Sequence, residues 1–256
     1  MKKIKFITAL FVSLTCSVCL PPGLLFAVDE IPIIGTEALE HELYGGAPMV
    51  LANALSSIEF KNLTIKGSVS IPSSKVAGNP LLPEDKGMLL VFFCKGPVCV
   101  KSFKAAKEAI ALGYTNVKVY KAGLPDWIRK RFPVTRTVEY PKVEIPKMYP
   151  QEVYEKLDEV VMLDIRGAES KRIGEIKHGI VINIPLDDLE EKYTALSKNK
   201  TIVIVDLAGK QEDICGRFLV QKGYTQLVGI EGGARAWIKM IRRMERKELQ
   251  NNPETH

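Results

Sequence analysis

Histidine is scarce in this chain, with three in 256 residues, His41, His178 and His256, spread widely along the sequence. That weakens the case for imidazole-based metal sites and hydrolytic triads, and no zinc spacing, serine triad, P-loop or dinucleotide fingerprint is evident. No cofactor is therefore expected. Charge of one sign is also in short supply. The 36 basic and 30 acidic residues leave a net +6, and half of that excess sits on Lys2, Lys3 and Lys5, ahead of the first acid, Asp29. No basic stripe interleaved with aromatics follows, so no nucleic-acid partner is expected. Of five cysteines, Cys16 and Cys19 fall near the start, which leaves Cys94, Cys99 and Cys215. An odd set of three is no disulfide framework. Cys215 lies in an apolar helical segment and reads as a core residue.

Long apolar runs are confined to the beginning. Lys2-Lys3-Ile4-Lys5 followed by apolar Phe6 to Leu20, then Pro21-Pro22-Gly23 and Ala27, has the order of an export signal over residues 1–27. Cleavage ranks ahead of an uncleaved anchor, because the run is short for a span of about 20 residues and prolines interrupt it. Thr15 and Val18 are poor neighbours for lipidation of Cys16 or Cys19. The expected location is the periplasm or otherwise outside the cytoplasm, without stable membrane insertion after cleavage.

The remainder repeats itself. Gly113-Tyr114-Thr115 matches Gly223-Tyr224-Thr225, and Ala122 to Trp127 matches Gly232 to Trp237, both at a separation of 110 positions. Val69-Ser70-Ile71-Pro72 matches Val181 to Pro185, and the apolar run Leu89 to Phe93 matches Thr201 to Val205. Both tryptophans of the chain fall at one repeat position, where core packing is expected of them. So many matches in one order predict two copies of one α/β domain, over residues 32–135 and 150–246, with a proline-bearing linker over 136–149. A helix is expected over Thr36 to Tyr44, capped by Thr36, and others over Gln151 to Leu157 and from Ser102, where Phe103, Ala106, Ala109 and Ile110 recur at helical spacing.

The stretch from Gly87 to Ala106 carries the chemistry. Leu89 to Phe93 reads as a strand buried on both faces. Cys94 follows it, on a loop of Lys95, Gly96, Pro97, Val98, Cys99, Val100 and Lys101 that closes at Ser102, where the helix starts. Unpaired N–H groups at such a junction, with the helix dipole, favour an anion and so a thiolate. On spacing alone Cys94 could equally be a buried structural cysteine. Lys95 and Lys101 could draw in an anionic donor or be solvated surface lysines. Cys99 could resolve an oxidised Cys94 by forming a disulfide, or be a passive loop residue; the two can meet only if the loop curls.

These pieces in order resemble the rhodanese family: a strand ending in Asp164-Ile165-Arg166, the Gly67 to Pro72 entry, the strand–cysteine–loop–helix, the Gly-Tyr turn, and the Gly-Gly-x-x-x-Trp ending at Gly232 to Trp237. The resemblance covers nearly all of the chain after residue 27, twice. It implies two tandem domains, each a small parallel sheet with helices on both faces. It also implies transfer of sulfane sulfur from a donor such as thiosulfate or a persulfide, through a Cys94 persulfide, to a thiol or cyanide acceptor. The loop N–H groups of Gly96, Val98, Cys99 and Val100 would then stabilise the persulfide and any oxyanion. In the first copy Asn53, Leu55 and Thr64 stand where the family has Asp, Arg and frequently His. In the second copy Asp206 stands in place of the cysteine, which implies a degenerate, inactive site. Two other functions compete: a non-catalytic exported binding module whose protein partner the sequence does not name, and thiol–disulfide redox work through Cys94 and Cys99. Phosphatase or arsenate-reductase chemistry has little support, because Val100 and Lys101 stand where a loop-closing arginine would be required.

Overall fold

The structure is a computed structural model that describes residues 31–251. The expected export signal, Cys16, Cys19 and His256 lie outside the described residues. The first half runs α1 (Thr36–Tyr44), β1 (Met49–Asn53), α2 (Ser57–Asn62), β2 (Thr64–Ile65), β3 (Val69–Ser70), β4 (Leu89–Phe93), α3 (Lys101–Ala111), β5 (Val117–Tyr120), α4 (Gly123–Arg129) and β6 (Val134–Thr135). The second half runs β7 (Lys147–Met148), α5 (Pro150–Tyr154), β8 (Val160–Asp164), β9 (Ile180–Asn183), α6 (Leu189–Lys192), β10 (Thr201–Val205), α7 (Glu212–Gln221), β11 (Leu227–Ile230) and α8 (Gly233–Asn251).

Each half builds one parallel sheet. The first has the order β3-β1-β4-β5, with Ile33 adding a parallel bridge to Val119 at the outer edge. The second has the order β9-β8-β10-β11-β7, the same arrangement with β7 in the place of that bridge. The central strands are buried throughout their apolar runs because both faces are covered. Leu90 and Phe92 meet Ala105, Ala106 and Ala109 of α3, while Leu89, Val91 and Phe93 meet Leu39 and Trp127 on the other face. In β10, Ile202 and Ile204 meet Cys215, Phe218 and Leu219 of α7, and Val203 and Val205 meet Trp237 of α8. Side chains alternate along a strand, so the residue after each run, Cys94 or Asp206, continues toward the face of α3 or α7.

The repeated Gly-Tyr pair has a physical cause. Gly113 and Gly223 end α3 and α7 at positive φ (93° and 84°), a helix stop that costs a glycine little. The next residue folds back: the Tyr114 amide donates to Ala109 and the Tyr224 amide to Leu219. Both tyrosines are buried, and their hydroxyls donate to carbonyls, Tyr114 to Pro83 at 2.9 Å and Tyr224 to Tyr193 at 2.8 Å.

Several local expectations are corrected. The N-cap of α1 is Gly35; Thr36 is its first residue, and its hydroxyl is drawn instead to the Asp126 carboxylate and the Tyr120 hydroxyl. Helix α5 ends at Tyr154, short of Leu157. Ile110 of α3 is 42% exposed, because the sheet takes only the alanine face of that helix. The proline-bearing stretch before β7 is more than a tether: Tyr140 and Ile145 are buried in the second core. Helix α2 lay outside the sequence expectations, although Ser56 and Glu59 form a capping box that the S-x-x-E order announces. No helix among the described residues is long and apolar enough to cross a membrane.

Gly123 and Gly233 open α4 and α8 at φ +67° and +60°. A Cβ on Gly123 would stand 2.4 Å from the Cys94 carbonyl oxygen and 2.7 Å from the Gly96 nitrogen; on Gly233 it would stand 2.6 Å from Asp206 Oδ1. The glycine is repeated because the turn after β5, or β11, presses on the loop after β4, or β10. Gly78 has a similar φ of +70° but open space around it. Gly78→Ala should therefore cost only the backbone penalty, about 1–2 kcal/mol, and Gly123→Ala clearly more in urea denaturation. Equal losses would show that loop contact is no constraint.

Candidate active site

Cys94 leaves β4 at its C-terminal end and is 1% exposed. Its sulfur faces the loop. As a thiol, Sγ lies in donor range of the Cys99 carbonyl oxygen and the Ser102 hydroxyl, each at 3.3 Å. The nearby Cys99 thiol is the largest cause of a Cys94 pKa lowered from 9.0 to about 6. Burial opposes the shift, and the Ser102 hydroxyl and the backbone N–H groups of Ser102 and Gly96 support it. The same contact, with burial, pushes the Cys99 thiol up. Of the loop amides expected to stabilise the sulfur, that of Gly96 contributes to the lowering. The Cys99 amide is taken by the Gly96 carbonyl at 3.0 Å, and the Ser102 amide, not among those expected, joins instead. Pro97 has no N–H and shapes the turn. Val98 and Val100 are 92% and 71% exposed and form an apolar rim.

Both loop lysines are paired, although Lys95 stays half exposed to solvent. Lys95 pairs with Glu59 at 3.2 Å, and Lys101 with Asp187 of the second half at 3.0 Å. Glu59 is buried and also receives the Ser56 hydroxyl (2.8 Å) and, from the second half, the Gln211 side chain (3.3 Å). Burial pushes its carboxyl up, but Lys101, Lys95 and Ser56 outweigh burial and hold it below the usual carboxylate range. Burial likewise pulls Lys101 down, and Asp187 and Glu59 more than reverse it. Glu59 and Asp187 are the site residues that sequence reasoning missed. The capping box was a usable signal for Glu59; Asp187 had none, since its role exists only where the two halves meet.

The corresponding loop of the second half is filled by its own side chain. Asp206 Oδ1 accepts from the Ala208 amide at 2.9 Å and from Gly209; Oδ2 accepts from the Lys210 and Gln211 amides at 2.6 Å each. A carboxylate thus occupies an amide nest of the anion-binding kind. Beside it Glu212 is fully buried and pushed up to about 7, mainly by burial, with the Asp206 charge adding and Lys147 opposing. The opening strands differ as well. Asp164 binds the buried Arg166 guanidinium by two contacts of 2.8 Å and accepts from the Arg166 amide. In the first half Asn53 keeps the backbone part, accepting from the Leu55 amide at 3.0 Å, and its amide donates to Thr64 at 3.0 Å. The substitutions there are internally satisfied. Cys215 is buried in the second core, away from the loop chemistry. Among the described residues no group of three or more His, Cys, Asp and Glu side chains could hold a metal ion.

Two measurements follow. Ser102→Ala removes a hydrogen bond to the thiolate, so the inflection of Cys94 alkylation by iodoacetamide should move up from about 6; an unmoved inflection would show that the hydroxyl does not serve the anion. Asp206→Ala strips four amides of their acceptor and should cost roughly 2–3 kcal/mol in urea denaturation, with Asp206→Asn in between. A loss near zero would mean that water satisfies the nest.

The pattern of the rhodanese-like domain matches residues 41–130 and again residues 149–240. Among solved structures, the BH2092 protein from Bacillus halodurans is 22% identical, over 41% of this chain and 77% of its own, at a TM-score of 0.39. A rhodanese-related protein from Thermoplasma volcanium is 28% identical, over 37% of this chain and 92% of its own, at a TM-score of 0.34. A thiosulfate sulfurtransferase from Pseudomonas aeruginosa is 18% identical, over 82% of this chain and 42% of its own, at a TM-score of 0.39. No curated protein sequence matches this chain. The two tandem matches span well over half of the residues, and the chain belongs to the rhodanese family.

Proposed function

We propose that this chain is a sulfurtransferase that carries sulfane sulfur on Cys94. Membership of the family supports sulfurtransferase-type chemistry at a general level. The observation that carries the specific reading is the Cys94 sulfur itself, set at a strand end among hydrogen-bond donors, with a pKa lowered to about 6. A thiolate is the nucleophile of sulfur chemistry, and at neutral pH this one is ionised. With thiosulfate, the thiolate attacks the outer sulfur, the S–S bond breaks, and sulfite leaves with its electron pair. Cys94–S–S⁻ remains, held by the Gly96 and Ser102 amides. Cyanide or an acceptor thiolate then attacks the outer sulfur and Cys94 leaves as thiolate.

Asp206 cannot carry sulfur as a persulfide, and its carboxylate already fills the nest where an anionic product would sit. The second half acts in this reading as a scaffold that supplies Asp187 and Gln211 to the first. With Lys95 and Lys101 both paired, the donor is selected by the sulfur and the apolar rim of Val98 and Val100 more than by free positive charge. On the strength of residues 1–27, the place of action is outside the cytoplasm.

A thiosulfate:cyanide assay tests the reading. Wild type should form thiocyanate, with a rate that rises as pH passes through about 6, where the thiolate forms, and then levels. Cys94→Ser should lose the activity, and Cys215→Ser should keep it. Thiocyanate formation by Cys94→Ser at the wild-type rate would remove the assignment.

A further inference from the structure

We propose that Cys99 resolves the Cys94 persulfide as an internal disulfide with release of sulfide, which gives the chain a second activity, the thiol-dependent reduction of sulfane sulfur. This rests on the sulfurtransferase reading and adds a fate for the sulfur that needs no external acceptor. The geometry is that of a curled loop. The Cys99 amide donates to the Gly96 carbonyl at 3.0 Å, and Gly96 holds φ +136°, a conformation that residues with a Cβ rarely adopt. That turn brings residues five positions apart together: Cys94 Sγ lies 3.3 Å from the Cys99 carbonyl oxygen, and each thiol is near enough to shift the other's ionisation. Both are free cysteines. They differ in access, since Cys94 is buried and Cys99 is partly exposed.

The chemistry balances on these two residues. The Cys99 sulfur attacks Cys94 Sγ as its proton passes to the outer sulfur of Cys94–S–S⁻; the bond to the outer sulfur breaks, and that sulfur leaves with the electron pair as HS⁻. The cysteine pair is oxidised to a disulfide, and the sulfane sulfur is reduced to sulfide. An external thiol resets the loop by attacking the sulfur of Cys99, the more accessible of the two residues. Cys94 is the better leaving group, because its thiolate is the stabilised one. A second external thiol then releases Cys99, so that two thiols become one external disulfide per turnover.

The test uses the reduced protein, freed of reductant and kept anaerobic, treated with thiosulfate and followed by intact mass and sulfide assay. Wild type should pass from a form with one added sulfur to a form two hydrogens lighter than the start, with one sulfide released per chain. Cys99→Ser, and Cys99→Ala as a second variant, should keep the added sulfur and release sulfide only at background. Wild type that keeps its added sulfur without releasing sulfide would overturn this proposal and leave sulfur transfer standing. Absence of added sulfur from wild type and both variants, with no thiocyanate formed on addition of cyanide, would overturn both.

Discussion

Backbone N–H groups where a buried strand hands over to a helix must find an acceptor, and in both halves of this chain they converge on a single anionic side chain. In the second half it is the Asp206 carboxylate, which four loop amides bind. In the first it is the Cys94 sulfur, which the Gly96 and Ser102 amides and two side chains stabilise. The position is fixed by the sheet: alternation along β4 and β10 aims the next residue at the helix N-terminus. The neighbouring turn fixes it a second time, since Gly123 and Gly233 leave no room for the loop to move. One architecture therefore presents one electrostatic demand, answered by a thiol in the first half and by a carboxylate in the second; under the proposed function that difference separates sulfur chemistry from a sealed loop.

The halves are joined at that same place. Glu59 pairs with Lys95 and receives Gln211, whose own amide donates to Asp206, so the two loops share one buried carboxylate. Lys101, at the start of α3, is held by Asp187 across the junction. A buried ion pair is weak evidence for stability, but each of these contacts fixes where a lysine head group sits. Together they leave the rim of the Cys94 loop to Val98 and Val100. The second half earns its retention in this account without any chemistry of its own.

Much of this was legible before any coordinates. The apolar runs of Leu89 to Phe93 and Thr201 to Val205, the Gly-Tyr stops and the tryptophans at one repeat position all report short-range rules, strand burial and helix termination, that a sequence states directly. The place of Cys94 at a strand end was legible because its neighbours, a strand on one side and a helix on the other, are local. The amide pattern was only half legible. Gly96 was named among the stabilising amides, whereas Ser102 was placed in the loop without that role; the Cys99 amide, also named, is consumed by the Gly96 carbonyl. The partners of Lys95 and Lys101 were invisible for a different reason. Asp187 lies 86 positions from Lys101, and nothing in the spacing of either residue encodes the docking of one repeat on the other.

The central claim is that the loop holds Cys94 as an anion. Ultraviolet titration of thiolate absorbance, wild type minus Cys94→Ser, measures that charge directly. The account predicts a difference curve with its midpoint at about 6. A midpoint at about 8.5, the value of a free cysteine, or above, would contradict it.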